Sequence, residues 1–175
     1  DTLTGIYNKT KFFERTKTLL SNNPDEKFVF LRIDVAKFQL VNTFFGVQEG
    51  DKLLCYMADE IRCFVGHSVR ISYGRVEADI FCICMPYQSE QTLLEFIRYV
   101  RMRIGQYNLE YDIVPTIGIY VIEDRELSVD GMYDRANLAA KKCKGNYIRN
   151  YAFYTADMSE ELVKEQRIVN SMRSA

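Results

Sequence analysis

The sequence has 175 residues, of which 47% are hydrophobic and 27% are charged, so it is long enough for one globular domain with a substantial core. Its 23 basic and 24 acidic residues leave a formal net charge of −1, which excludes a general electrostatic attraction to nucleic acid or to anionic lipid. Its apolar stretches are short and interrupted by charges, which predicts no direct insertion into a membrane and a cytoplasmic location.

The first half of the chain alternates helical and strand patterns. Asn8 can cap a helix whose apolar residues recur at helical intervals, and "KFVFLRIDV" predicts a strand that ends in the carboxylate of Asp34. The segment "AKFQLVNTFFGVQ" predicts a loop or a short helix, and "EGDKLLCYMADEIRCFV" predicts a long amphipathic helix. Two short strands are expected near residues 69–73 and 80–85, separated by a turn that holds two acidic residues.

The second half continues the alternation. "SEQTLLEFIRYVRMRI" predicts a third amphipathic helix, and "IVPTIGIYVI" predicts a strand in which Pro115 indicates an edge position or a bulge and Gly118 a close backbone approach. A helix is expected over residues 129–144, with Gly145 as its C-cap, and "NYAFYT" predicts a last short strand. From Asp157 onward the pattern is helical again.

This order of elements predicts an α/β (α+β) sandwich with a central, mainly antiparallel five-stranded sheet flanked by helices. We expect residues 1–156 to form the domain. Residues 157–175 are expected to form a C-terminal connector helix that covers the domain or leads into another one. The five cysteines lack metal-binding spacing and are expected to be reduced and mostly buried.

Four stretches in chain order carry a family resemblance: "DTLTGIYNK", "IDVAKFQLVNTFFGVQEGDKLL", "RVEADIF", and "ANLAAKKCKGN" followed by "YAFY". Together they resemble the GGDEF family, the diguanylate cyclase domains that join two GTP molecules into cyclic di-GMP. The resemblance covers nearly the whole chain and implies a fold similar to that of nucleotidyl cyclases. The charged tail resembles the connector that joins a GGDEF domain to a C-terminal EAL phosphodiesterase domain.

The signature of that family is altered in this chain, where "EADIF" takes the place of Gly-Gly-Asp/Glu-Glu-Phe. Glu77 and Ala78 replace the two glycines that let the nucleotide approach the hairpin backbone. Ile80 replaces the acid that the family uses for catalysis, and an aliphatic side chain can neither bind metal nor carry a proton. The resemblance therefore implies no catalytic residue here and little or no cyclase activity.

The resemblance also implies a magnesium site. Asp34, at the end of the first predicted strand, and Asp79, at the third signature position, match the two metal-binding carboxylates of the family, and Val35 is assigned to the same site. Mg²⁺ prefers such oxygen ligands and needs few of them from the protein. The family's second acid after the strand is Ala36 in this chain, and a phosphate-binding lysine is Gln39, which weakens phosphate binding.

Four further residues are assigned to nucleotide binding. Asn42 and Asp51 match the residues that recognise guanine. The N–H groups on the edge of this base can donate hydrogen bonds to an amide oxygen and a carboxylate. Phe38 is assigned to the same site, and Lys142 matches a phosphate-binding lysine, although its neighbours Lys141 or Lys144 could take that role.

Simpler explanations for these residues stay open. Asp34 could cap the helical turn that follows it, and Asp79 could be a turn acid bonded to the backbone. Asn42 and Asp51 could cap the second helix, and the lysines near Lys142 could serve only to complement the helix dipole.

The leading hypothesis is a degenerate GGDEF domain that serves as a regulatory guanine-nucleotide-binding or interaction module. Its partners would be GTP or another guanine nucleotide, a neighbouring EAL or sensory domain of the same polypeptide, and a second copy of the chain in a homodimer. One alternative is an active, dimeric diguanylate cyclase in which Glu77 replaces the missing acid. The other is a protein-interaction scaffold that binds no nucleotide.

Overall fold

A five-stranded sheet with helices on both faces forms the protein, in a computed structural model that describes residues 1–143 and 149–173. The elements in chain order are α1 (Lys9–Asn22), β1 (Phe28–Val35), α2 (Phe38–Phe45), α3 (Val47–Val65), β2 (Ser72–Glu77), β3 (Ile80–Pro86), α4 (Glu90–Gly105), β4 (Pro115–Val121), α5 (Val129–Lys142), β5 (Tyr151–Phe153) and α6 (Ala156–Arg173).

The strands lie in the order β2-β3-β1-β4-β5, so β1 is the middle strand. β2 with β3, β3 with β1, and β1 with β4 are antiparallel pairs, whereas β5 runs parallel to β4. The prediction of a mainly antiparallel five-stranded sheet flanked by helices is therefore confirmed.

Each face of the sheet carries its own apolar cluster. Leu31 and Ile33 of β1 pack on one face with residues of α2, α3 and α4. Phe28 and Phe30, which alternate with them along the strand, pack on the other face with residues of α1 and α5. β1 is therefore covered on both sides, as its nearly continuous apolar sequence predicts.

Gly118 of β4 allows α5 to lie directly on the sheet. A Cβ atom at this position would lie 1.9 Å from the Ala136 carbonyl oxygen and 2.7 Å from the Ala140 amide nitrogen, so only glycine fits under the helix. The close backbone approach that the sequence predicts at Gly118 is confirmed.

The structure corrects two strand predictions. The strand expected at residues 69–73 runs from Ser72 to Glu77, because its buried positions include Ser72 and Gly74, which carry little hydrophobic signal. The edge position or bulge expected for Pro115 is also wrong. β4 is an interior strand, and Pro115 is tolerated as its first residue, a position that proline can take in a sheet.

Helix boundaries also differ from the predictions. The segment expected as a loop or short helix contains the eight-residue helix α2, and α3 begins at Val47, two residues earlier than expected. α5 ends at Lys142, while Lys144 and the expected C-cap Gly145 lie outside the described residues.

The tail forms a helix, α6, with no buried residue among those described, so its described part does not cover the domain. All five cysteines are free, and three of them are buried. No helix in the described ranges combines the length and apolarity needed to cross a bilayer.

We expect Gly118→Ala to destabilise the protein by about 2–3 kcal/mol, since overpacking a tightly packed core typically has a cost of this size. The measurement is the free energy of unfolding from denaturant titration. Gly105→Ala is the matched control. A Cβ atom there would lie 3.4 Å from the Ile113 carbonyl oxygen, and we expect a change of less than about 1 kcal/mol. Equal stability of the two variants would contradict the close packing of α5.

Candidate functional site

The hairpin between β2 and β3 turns through only Ala78 and Asp79, because Glu77 pairs with Ile80 across it. Ala78 has a φ of +42°, in the left-handed region that two-residue hairpins require and that glycine adopts more easily. The Nε atom of Arg75 donates a hydrogen bond of 2.7 Å to the Ala78 carbonyl oxygen. This bond helps to hold the turn in its strained conformation.

The N-terminal loop is bonded to the same arginine. Nη1 of Arg75 lies 3.1 Å and 3.2 Å from the two carboxylate oxygens of Asp1. Oδ1 of Asp1 also accepts hydrogen bonds from the backbone N–H and the hydroxyl group of Thr4. Arg75 therefore connects the first residues of the chain to the hairpin turn, a role that the sequence analysis missed.

Asp79 reaches from the hairpin to the end of β1. Its Oδ2 atom accepts a hydrogen bond of 3.0 Å from the backbone N–H of Val35. Burial raises the pKa of Asp79 above its usual value, the charge of Asp34 adds to this effect, and the Val35 N–H opposes it. Asp79 does bond the backbone, as the simpler explanation expects, but it bonds a neighbouring element rather than its own turn alone.

Asp34 forms an ion pair with Arg32, in which Nη1 of Arg32 lies 2.8 Å from Oδ2 of Asp34. Both side chains are largely buried, with 8% of Arg32 and 17% of Asp34 exposed. Asp34 does not cap the following helix, because the N-cap residue of α2 is Lys37 and no side chain caps it. The structure thus gives Asp34 a partner that the sequence analysis did not assign.

Backbone strain is concentrated near these carboxylates. Among the described residues, Lys37 and Ala78 are the non-glycine residues with positive φ, at 57° and 42°. Lys37 follows the end of β1, and Ala78 precedes Asp79. Strained non-glycine residues of this kind cluster at functional sites, which supports this edge of the sheet as the candidate site.

The residues around Asp34 offer Mg²⁺ few oxygen ligands that lack another partner. Ile80 is half-buried against the apolar cluster under α1 and α5 and supplies no oxygen. Asp34 is neutralised by Arg32, and Asp79 already accepts the Val35 N–H. Within the described ranges, no three His, Cys, Asp or Glu residues are grouped so that they could hold a metal ion.

Asn42, which the resemblance assigns to base binding, has its side chain against α3. It lies one helical turn after Phe38 on α2, and a Cβ atom at Gly50 of α3 would lie 1.9 Å from its Oδ1 atom. That Oδ1 atom is buried, and it accepts no hydrogen bond from the described part of the chain. A buried acceptor without a partner is costly, so the position suits a ligand donor.

Asp51 follows Gly50 directly and is half-buried. The N-cap of α3 is Gly46, which has no side-chain cap, so neither Asn42 nor Asp51 serves as the cap that the simpler explanation proposed. Phe38, in contrast, is 9% exposed and belongs to the core cluster, so its side chain packs in the interior.

Lys142 forms an ion pair with Glu161 of α6. The hydrogen bond that its ammonium group donates to this carboxylate raises the pKa of Lys142 above its usual value. The predicted phosphate-binding lysine is therefore engaged with the tail helix.

A separate cleft of about 870 Å³ lies between α1 and the start of α5. Apolar side chains of Phe13, Leu20, Leu127, Val129 and Met132 line much of it. None of the predicted site residues contributes to this cleft, so its volume says nothing about nucleotide binding.

The chain is similar in sequence to proteins of one family. Residues 1–148 match the family model described as "Diguanylate cyclase, GGDEF domain". A diguanylate cyclase from Vibrio cholerae is 24% identical over 156 residues, which are 83% of this chain and 46% of that protein. The chain spans less than half the length of the curated relatives it matches.

Solved structures share the fold. The GGDEF domain of YfiN from Pseudomonas aeruginosa is 22% identical, with a TM-score of 0.78 over 93% of this chain and 98% of that one. The GGDEF domain of DgcB from Caulobacter crescentus, solved in complex with c-di-GMP, is 18% identical, with a TM-score of 0.75 over 88% of this chain and 90% of that one.

We expect Arg75→Met to loosen the hairpin turn and the N-terminal loop together, because it removes the bonds to Ala78 and Asp1 while keeping an aliphatic stem. The expected loss of stability is about 2 kcal/mol. Amide hydrogen exchange should be faster at residues 1–5 and 77–80. The control is Arg70→Met, which breaks only an exposed pair with Glu26 and should cost less than about 1 kcal/mol. Unchanged exchange at both segments would contradict this role for Arg75.

Proposed function

The chain belongs to the GGDEF family of diguanylate cyclase domains, and we propose that it is a regulatory guanine-nucleotide-binding module of cyclic di-GMP signalling that does not synthesise cyclic di-GMP. The observation that carries the proposal is the buried Oδ1 atom of Asn42, which has no hydrogen-bond donor within the described residues.

Guanine is the base that suits this position. Its Watson–Crick edge presents N1–H and N2–H donors, which an amide oxygen and a carboxylate accept, whereas adenine has no donor at N1. In our proposal Asn42 and Asp51 bind this edge. The ring of Phe38 is packed in the core and does not contact the base in our proposal. Phe38 is the first residue of α2, so its packing positions the helix that carries Asn42.

The same site lacks support for catalysis. Joining two GTP molecules requires the 3′-hydroxyl group of one to attack the α-phosphorus of the other, with stabilisation of the charge that develops on phosphate. Ile80 offers no carboxylate at the signature position. Asp34 is already paired with Arg32. We therefore propose that the signature of this domain is degenerate and that its cyclase activity is lost.

Magnesium at Asp34, Asp79 and Val35 stays a prediction of the family resemblance. The ion pair of Asp34 argues against it, and we propose no step that depends on the metal. The alternative of an active cyclase depends on Glu77, which is exposed and lies opposite Ile80 in the hairpin. Substitution of Glu77 therefore tests this alternative.

We expect the protein, incubated with GTP and Mg²⁺ at high concentration, to form no cyclic di-GMP detectable by chromatography, because residue 80 supplies no acid. An active diguanylate cyclase in the same buffer is the positive control. Product formed by the wild-type protein and lost in Glu77→Gln would overturn the proposal in favour of a dimeric cyclase that uses Glu77.

Binding could be transmitted through the tail helix. Lys142 pairs with Glu161 of α6, and both side chains are about half exposed, so the pair can open at small cost. Nucleotide phosphates that attract Lys142 would compete with Glu161 and favour a different position of α6. In this way a ligand changes the conformational equilibrium of an adjacent EAL or sensory domain in the cytoplasm.

We expect calorimetry to detect GTP binding and weaker ATP binding. Asn42→Ala should weaken GTP binding by about tenfold to a hundredfold, because it removes an acceptor to the base. The control Asp59→Asn alters an exposed acid of the same helix as Asp51 and should leave GTP affinity unchanged. If GTP does not bind, the remaining alternative is a protein-interaction scaffold. If GTP binds and Asn42→Ala has no effect on binding, Asn42 is not the base-binding residue and the proposed site is wrong.

A further inference from the structure

We propose that the guanidinium group of Arg32 is a built-in counter-ion that takes the place of a divalent cation beside Asp34, so that free metal ions do not bind the pair of Asp34 and Asp79. The inference concerns the protein without any nucleotide. It is therefore independent of the base-binding function proposed above.

Arg32 lies deep in the sheet. It belongs to the middle strand, opposite Cys82 of β3 and Gly118 of β4, and its side chain is 8% exposed. α5 covers this position closely, because Gly118 lies directly beneath the backbone of Ala136 and Ala140. A charge at such a depth is strongly unfavourable unless a partner of opposite sign compensates it.

Asp34 is that partner. Residues two apart on a strand share a face, so Arg32 and Asp34 point to the same side of the sheet, and their closest atoms lie 2.8 Å apart. The alignment is fixed by the strand itself rather than by a flexible loop. The pair therefore follows from the strand geometry and lies largely buried.

The neighbouring residues leave a metal ion few alternatives. Asp79 offers one carboxylate, which already accepts the Val35 N–H, and Ile80 presents an apolar side chain. A cation could gain Asp34 as a second ligand only by displacing Arg32. That would leave a buried guanidinium without its partner, a change that costs more than the pair gained in forming.

The experiment titrates Mn²⁺ alone into the full chain and follows free Mn²⁺ by electron paramagnetic resonance. We expect no saturable binding to the wild-type protein. Arg32→Met keeps the length of the aliphatic stem and leaves Asp34 without its counter-ion, so Mn²⁺ should bind this variant saturably, at least about tenfold more tightly than any weak binding to the wild-type protein. The double variant Arg32→Met with Asp34→Asn should lose that gain. Arg70→Met, which removes an exposed arginine, should behave as the wild type does.

Two outcomes would overturn the inference. One is saturable binding of Mn²⁺ to the wild-type protein that disappears in Asp34→Asn, since Asp34 would then hold metal despite Arg32. The other is a folded Arg32→Met variant, verified by circular dichroism, with no gain in affinity. If Arg32→Met does not fold, the wild-type and Asp34→Asn titrations still decide between a metal site and an internal ion pair.

GTP provides a separate comparison. If the proposed function also holds, the wild-type protein should bind GTP equally with Mg²⁺ or with a chelator, whereas Arg32→Met should bind it more tightly with Mg²⁺. A failure to bind GTP under any condition would count against the proposed function and would leave the Mn²⁺ result unaffected.

Discussion

The burial of both faces of β1 is the constraint on which the rest of the structure depends. An apolar cluster covers each side of this middle strand, so a polar residue is tolerated only near its end or with a partner inside the sheet. Asp34 lies near the end of β1, and Arg32 lies inside the sheet with Asp34 as its partner. The carboxylate and the guanidinium group compensate each other's charge. The candidate site is therefore a consequence of where the core ends.

Much of the fold was predictable because β1 has a nearly continuous apolar sequence, which is typical of a strand covered on both faces, and the long helices carry their apolar residues at the helical period. β2 was misplaced, since its position depends on tertiary contact. A Cβ atom at Gly74 would lie 2.7 Å from the Phe12 Cβ atom of α1, so a residue that weakens a strand is needed there. Pro115 was misjudged because the parallel pairing of β5 with β4, which makes β4 an interior strand, has no local signal.

The site was predictable only in part. The resemblance selected Asp34, Asp79, Asn42 and Asp51, and the structure connects Asp79 to the end of β1. Arg32 was missed, although an arginine two residues before an aspartate in a strand expected to be buried indicates an ion pair on one face. Glu161 had no such signal, because the contact between α5 and α6 joins separate helices.

α6 is a long helix that is paired with the domain near its start, so a small rotation there displaces its far end. It extends from the domain without a buried residue, and the Lys142–Glu161 pair lies near its start. The 12 residue steps from Glu161 to Arg173 span about 18 Å, so a tilt of about 10° at the pair would displace the far end by about 3 Å. Opening this one exposed ion pair would therefore allow the far end of α6 to move by about an atomic diameter.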